Sequence, residues 1–544
     1  MFEVNIVTLS KTILKMKTAR VPYVIFFISL FLSGMSNLSC QNKKNNTIAL
    51  HYATVNKEKV VNLTPFDSTL VTVFYKKYPE FLPYKKQAVA IYQQQHYNYI
   101  WQDGNGIKET AAVIWNKINN LQEEGVTAAV PYKEAFESKY SNITSTPDLD
   151  LEIGLTSYYL FYVDKVFHGI DVAKSRELGW YLPRNKPTYL NYLDSLLVDT
   201  KSEEVKYLLP QYYKFKDVLK QYREIEKKGG WNTITIAPKF TSLKPGDTSD
   251  VVQQIRTRLF LEGDLAKDTK SNSYDEELKA GVLSFKSRTG FKDDDVILAK
   301  HIAEMNIPIG NRIKTIMVNM ERCRWVSSGL TKSKEFIVIN IPSFQLTFFK
   351  DKKPALISKV VVGKEMNKTV IFSGMMSNIV FCPYWNVPNS ILRKEILPAL
   401  RRNKNYLASH HMEWHDGGVR QKPGPNNSLG LIKFLFPNNN NIYLHDTPSK
   451  NLFKEETRAF SHGCIRLEKP VELANLILKE EPNWTAEKID EAMHTNKESW
   501  YALRTKIPVY IGYFTSWVDS HGKINFYKDI YKNDDRLMEM LTKE

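Results

Sequence analysis

A chain of 544 residues is too long for one hydrophobic core and suggests about three folded domains. Its 43% hydrophobic and 12% aromatic content is ample for folded domains, and its net charge of +16 favours an anionic partner: nucleic acid, acidic membrane or an acidic polymer such as bacterial wall. Lys and Arg are spread along the chain, and no zinc-finger, RNP-like or P-loop string appears, which argues against nucleic acid; a solvated basic surface accounts for the charge equally well.

The N-terminus reads as an export signal, residues 1–40. Lys11, Lys15, Lys17 and Arg20 precede an apolar run from Val21 to Leu32, followed by small residues up to Cys40. Starting at Met16 would give a signal of ordinary length. Cys40, followed by the polar Gln41-Asn42-Lys43-Lys44, suggests a lipoprotein cleavage site, although Asn37 stands where such sites usually carry Leu. An uncleaved anchor is the alternative, but the run is short against the roughly 20 residues of a span. On either reading the chain is expected to be exported from about residue 41, and to meet the membrane through this segment.

Residues 41–60 read as a tether. From 61 to 238 the pattern predicts a mostly helical, aromatic-rich scaffold. Ala88-Val89-Ala90-Ile91-Tyr92, Ile114-Trp115-Ile118-Leu121 and Thr156-Tyr159-Leu160-Tyr162-Val163 place apolar groups at helical spacing. No acid–base constellation stands out there. Gly229-Gly230-Trp231 then turns into a short extended segment, Thr233–Ile236.

The next unit, 242–311, predicts three helices. The first carries Val251, Val252, Ile255, Leu259 and Phe260, and ends at Gly263-Asp264; the second carries Leu278, Val282 and Phe285; the third holds Ala303 and Met305. The Lys244-Pro245-Gly246-Asp247 start, the Gly-Asp turn and the Phe285-to-Phe291 stretch resemble the small peptidoglycan-binding module. Asp293-Asp294-Asp295 lacks the spacing and closing Glu of a calcium loop, so it reads as a turn and helix N-cap.

A linker helix, Ile313 to Val326 within 312–333, precedes a change of period. Glu335–Pro342, Gln345–Phe349 and Ile357–Gly363 alternate and are rich in β-branched residues, predicting a mainly β domain over 334–533. An insertion at 389–428 begins helical (Ile391 to Leu400) and turns polar at His410-His411-Met412-Glu413-Trp414-His415-Asp416-Gly417-Gly418. His411 and His415, with Glu413 or Asp416, have part of a metal-ligand pattern. No remote fourth ligand is evident and Gly417-Gly418 reads as a mobile loop, so no metal and no cofactor are expected.

The chemistry concentrates in Ser461-His462-Gly463-Cys464-Ile465-Arg466 and, upstream, Ile442-Tyr443-Leu444-His445-Asp446-Thr447-Pro448. A thiol of pKa about 8.5 is mostly neutral at pH 7, so a nucleophilic cysteine needs a base or cation nearby. Gly463 permits a tight turn and an open approach to Cys464, and Arg466 supplies a fixed charge suited to a carboxylate. His462 competes with His445 as base. The other cysteines, Cys323 and Cys382, read as buried; with four in all and no Cys-x-x-Cys, a disulfide framework is not expected.

The string His-Asp-Thr-Pro, a short gap, then Ser-His-Gly-Cys-Ile-Arg resembles the active-site signature of L,D-transpeptidases with the YkuD-type catalytic domain. Phe381-Cys382-Pro383-Tyr384-Trp385-Asn386-Val387-Pro388 and Val419-Arg420-Gln421-Lys422-Pro423-Gly424-Pro425 resemble the large, membrane-anchored YcbB-like branch, in which Asn is expected in place of Cys382. The resemblance implies an α+β multidomain fold of helical scaffold, peptidoglycan-binding module and mainly β catalytic domain, with 389–428 as a lid-like insertion. It implies Cys464 as nucleophile and His445 as general base, the imidazole being oriented by the Asp446 carbonyl. The Gly463 and Cys464 amides would receive the oxyanion, with Ser461 and His462 lining the site. Arg466, Tyr384, Trp385 and Asn386 would bind peptidoglycan tetrapeptide stems, which serve as donor and acceptor in forming 3→3 cross-links. The same site would equally serve an L,D-carboxypeptidase or attach a protein lysine to the wall. From another class, the chain would be a non-catalytic wall-binding lipoprotein; the intact His445, Cys464 and Arg466 argue against it.

Overall fold

The computed structural model describes residues 65–543, apart from 185–187, 199–206, 328 and 330–331. The expected signal, Cys40 and the tether lie outside the described residues. Among the described residues no helix is long and apolar enough to cross a membrane.

The scaffold is built around one helix, α1 (Leu149–Val163), capped by the Asp148 carboxylate, which accepts from the Leu151 amide at 3.0 Å. Every residue from Leu151 to Val163 is buried, as expected of a helix enclosed on all sides rather than half-solvated. Gly154 permits this, since a Cβ there would overlap the Phe136 ring. The enclosing residues are largely aromatic, among them Phe74, Phe81, Trp101 and Phe136. Helix α2 (Pro210–Lys227) closes the scaffold.

The three-helix unit forms as expected: α3 (Asp250–Leu261), α4 (Glu276–Thr289) and α5 (Ala299–Met305). Val252, Ile255, Leu259, Leu278, Val282, Phe285 and Met305 make a core separate from the scaffold's. That core also takes in Ile234, Ile236 and Phe240, so the unit begins before the expected residue 242. The acidic run is a turn and not an N-cap. Asp294 binds the Val296 amide and the buried Lys286 ammonium (2.6 Å), while Leu298 holds the cap position.

Helix α6 (Ile309–Arg324) is more than the linker its sequence suggested. Everything from Ile316 to Arg324 is buried. Arg322 pairs with Asp534 (2.6 Å) in α7 (Asp534–Thr542), and Arg324 pairs with Glu321 (2.9 Å) and donates to the Glu124 carbonyl in the scaffold. Buried charges survive here because each has a counter-charge and further hydrogen bonds.

The β domain is a nine-stranded sheet. Its strands are β1 (Glu335–Asn340), β2 (Gln345–Lys350), β3 (Lys353–Gly363), β4 (Ser373–Phe381), β8 (Ile432–Leu435), β9 (Leu444–His445), β10 (Ala459–Ser461), β11 (Ile465–Leu467) and β12 (Ser499–Gly512). The order is β10-β3-β11-β9-β8-β4-β12-β1-β2, and an added β2–β3 pairing closes the sheet on itself. Numbers β5 to β7 belong to the insertion: β5 (Trp385–Asn386), β6 (Met412–His415) and β7 (Gly418–Gln421).

The insertion has its own small core of Val387, Ile391, Leu392, Ile396, Met412 and Val419. The polar stretch is not a loose loop. Strands β6 and β7 pair antiparallel, Met412 with Gln421 through His415 with Gly418, around a two-residue turn. Asp416 (φ 47°) and Gly417 (φ 73°) both adopt the left-handed conformation that such a hairpin turn requires.

Candidate active site

The register of three short strands assembles the site. Leu444 pairs with Ile465 and His445 with Arg466 in the parallel β9–β11 ladder, while Lys433 of β8 stands opposite His445. Residues opposite one another, or two apart on one strand, share a face. Tyr443, His445, Cys464 and Arg466 therefore project from one side of the sheet, flanked by Lys433. Cys464 stands beside Tyr443 and diagonal to His445.

The nucleophile loop is pinned from within. Ser461 Oγ donates to the Cys464 carbonyl (2.6 Å) and accepts from the Gly463 amide (3.1 Å). Thr369 Oγ1 donates to the Gly463 carbonyl (2.8 Å) and accepts from the Gly363 amide (2.9 Å). Gly463 has φ 119°, a conformation open to glycine. Contrary to expectation, its amide is thus engaged by Ser461, which leaves the Cys464 amide as the one of the two without a partner among the described residues.

His445 is buried, and its Nδ1 donates to the Asp446 carbonyl at 2.5 Å. Burial pushes the imidazole pKa down to about 3, helped by the nearby charges of Arg466 and Lys433. The Asp446 side chain faces away from this work: one oxygen accepts the Leu431 amide (3.0 Å) and the other pairs with Lys450 (2.6 Å). A Cβ at Gly430 would overlap that carboxylate.

Cys464 is half-buried, and Cys323 and Cys382 are buried. Burial raises the Cys464 pKa, opposed by the nearby polar groups of Tyr443 and by the charges of Lys433 and Arg466. The thiol lies 3.5 Å from the Asn441 carbonyl, and no hydrogen bond joins it to His445. Both shifts favour a neutral thiol beside a neutral imidazole.

Tyr443 was quoted in the motif but given no role by sequence reasoning. Its phenol stands close enough to Cys464 and Trp385 to be influenced by both, and burial raises its pKa, so one aromatic side chain lies between β5 and the nucleophile. Lys433 was missed altogether; its ammonium lies 3.9 Å from the Tyr443 ring centre. Tyr384 is further removed, under the Arg420 guanidinium (4.2 Å), with its amide on Glu498 (2.8 Å). Asn386 is exposed and pairs with Arg420 in the β5–β7 ladder. His462 turns away from the thiol's own contacts and meets Glu395 of the insertion, Nε2 to Oε1 2.9 Å. Of the histidine cluster, His410 stacks on Tyr406, His415 lies 3.1 Å from Asp416, and Glu413 is occupied by Arg420 and Lys422.

Residues 334–511 match the family model of the L,D-transpeptidase catalytic domain (YkuD), and residues 86–221 match that of a scaffold domain. A Haemophilus influenzae protein whose name provisionally assigns it to the L,D-transpeptidases is 32% identical over 219 residues. That match covers 36% of this chain, which spans only 44% of the relative's length. Among solved structures, an L,D-transpeptidase of Xylanimonas cellulosilytica is 11% identical, covering 51% of this chain and 100% of its own, with TM-score 0.17. One from Stackebrandtia nassauensis is 15% identical, covering 51% and 97%, with TM-score 0.20.

Proposed function

With residues 334–511 forming an L,D-transpeptidase catalytic domain, we propose that this protein cross-links peptidoglycan stem peptides through a thioester on Cys464. The observation that carries this reading is the set of Tyr443, His445, Cys464 and Arg466 on one face of the sheet, fixed by the β9–β11 register.

In the resting site both partners are neutral, so the imidazole is free to take a proton. Rotation of the Cys464 side chain from the Asn441 carbonyl toward His445 starts the reaction. As the sulfur attacks the carbonyl of the third stem residue, its proton passes to His445 and the Asp446 carbonyl steadies the imidazolium. The Cys464 amide receives the oxyanion. Collapse breaks the amide bond and expels the terminal D-Ala as an amine protonated by His445. The side-chain amine of a neighbouring stem then attacks the thioester, losing its proton and restoring the thiol. The product is a 3→3 cross-link.

Around this centre we assign residues 242–311 to wall binding, the N-terminal segment to envelope anchoring after export, and 389–428 to covering the donor groove. The Glu395–His462 contact supports that last assignment. The test is incubation of the full chain with a disaccharide-tetrapeptide and mass analysis of products. A cross-linked dimer lost in Cys464→Ala is expected. A tripeptide alone would reassign the site to hydrolysis, and a dimer still made by Cys464→Ala would sink the mechanism.

A further inference from the structure

Two cations flank the Cys464–His445 pair, and neither has a carboxylate within ion-pair distance among the described residues. They are Lys433, opposite His445 on β8, and Arg466, opposite it on β11. Several cations elsewhere in the molecule hold carboxylates, Arg288 with Glu262 and Asp264, Lys286 with Asp294, Arg322 with Asp534 and Arg324 with Glu321, while the buried Arg258 rests on the Trp231 ring. Lys433 has instead the face of Tyr443, 3.9 Å from ammonium to ring centre. A ring face attracts a cation without neutralising it. Burial lowers the Lys433 pKa, and the charges that reach it are those of Cys464 and, more weakly, Glu498. A desolvated ammonium with no counter-ion is costly unless an anion arrives to pair with it.

Building on the transpeptidase reading above, we propose that Lys433 is the carboxylate-binding residue for the donor peptide, taking the terminal carboxylate of the residue that leaves. Two observations favour that carboxylate over others on the stem. Lys433 lies close enough to Cys464 for each to feel the other's charge, and the leaving residue's carboxylate is the anionic group nearest the attacked carbonyl, one residue beyond the bond that breaks. Arg466 stands two strand spacings from Lys433, about 10 Å between backbones, which leaves it free to take another anionic group of the substrate. Lys433 then reads chain length. A stem one residue longer, or one capped as an amide, leaves the ammonium unpaired in the closed site and is rejected. Once the bond breaks, the carboxylate departs with the leaving amino acid, and the acyl-enzyme no longer holds Lys433.

The experiment compares two donors on the full chain: a tetrapeptide stem ending in a free carboxylate, and the same peptide ending in a carboxamide. Wild type should prefer the free acid by at least about tenfold in kcat/KM, because the amide leaves a half-buried charge unpaired. Lys433→Gln should bring the ratio close to one by losing rate on the acid alone, and Lys433→Arg should keep the preference. The iodoacetamide reactivity of Cys464 in each variant, read against pH, reports a folded site. A preference unchanged in Lys433→Gln, or a Cys464 pH profile that moves while the preference stays, overturns the assignment and makes Lys433 a partner of the thiol. Wild type releasing the terminal residue from neither donor overturns the transpeptidase reading, and this inference with it.

Discussion

The Tyr443 side chain stands beside Cys464, whose pKa its phenol lowers, while its ring carries the Lys433 ammonium at 3.9 Å, so one side chain lies between the nucleophile and a charge on a different strand. In the resting state burial outweighs these aids and holds the thiol neutral. The aids matter most when the sulfur is anionic, because a hydrogen bond to a charged acceptor is worth about 1.5–3 kcal/mol.

Tyr443→Phe should therefore slow thioester formation by about 10- to 100-fold, the range that hydrogen-bond energy spans. The pH profile of Cys464 alkylation should shift upward by a corresponding amount, with little change in thermal stability. An unmoved alkylation profile would show that the phenol serves the substrate rather than the sulfur.

Gly463→Ala tests the loop by backbone alone. The nearest atom to an added Cβ is the Lys368 carbonyl oxygen at 3.9 Å, so space is not the obstacle. The φ of 119° is, and holding Ala there costs on the order of 1–3 kcal/mol. The loop should relax instead, and the acylation rate should fall far more than the unfolding midpoint does.

Cys382 has φ 46°, a left-handed conformation that Asn tolerates better than other non-glycine residues. Its buried thiol donates to the Met493 carbonyl at 3.0 Å, a bond an Asn amide can also make. Cys382→Asn should raise stability by up to about 1 kcal/mol, and Cys382→Val should lower it by a similar amount or more. Urea unfolding midpoints of the two variants settle the sign.

Glu152 makes the scaffold pH-sensitive. It is buried beneath the Ile100 and Trp101 amides, and burial raises its pKa from 4.5 to about 7. The folded state thus keeps a proton that the unfolded chain releases between those values. Stability from this group is complete below pH 4.5 and is lost as pH rises toward 7, by on the order of 3 kcal/mol at most. Glu152→Gln should flatten that slope. A denaturation midpoint in the variant that falls as steeply as wild type between pH 5 and 7.5 would refute the assignment.

How much of this the sequence disclosed depended on whether the signal was local. Cys464 and His445 lie in motifs readable along the chain, and the three-helix unit showed its apolar spacing openly. Tyr443 and His445 could be placed on one face by their separation of two, had both been read as strand. Lys433 could not, because its place opposite His445 exists only in the β8–β9 register. The hairpin of the insertion carried a legible signal, Asp416-Gly417 between alternating segments, which the neighbouring glycine masked. Helix α6 reads as a linker because the partners that bury it, Asp534 for Arg322 and the Glu124 and Val166 carbonyls for Arg324, come from residues far away in the chain.

Those distant partners have a consequence for how the protein acquires its fold. Arg322 meets Asp534, 212 positions later, and the Thr127 hydroxyl in the scaffold bonds the Leu541 carbonyl, 414 positions later. Part of the packing around α6 and the scaffold therefore forms only after the last residues of the chain are made. Contacts of such separation form slowly, because a long loop must be ordered before they repay it. A chain cut just after β12 would retain every catalytic residue proposed here and still lack the α7 contacts that seal α6 against the scaffold.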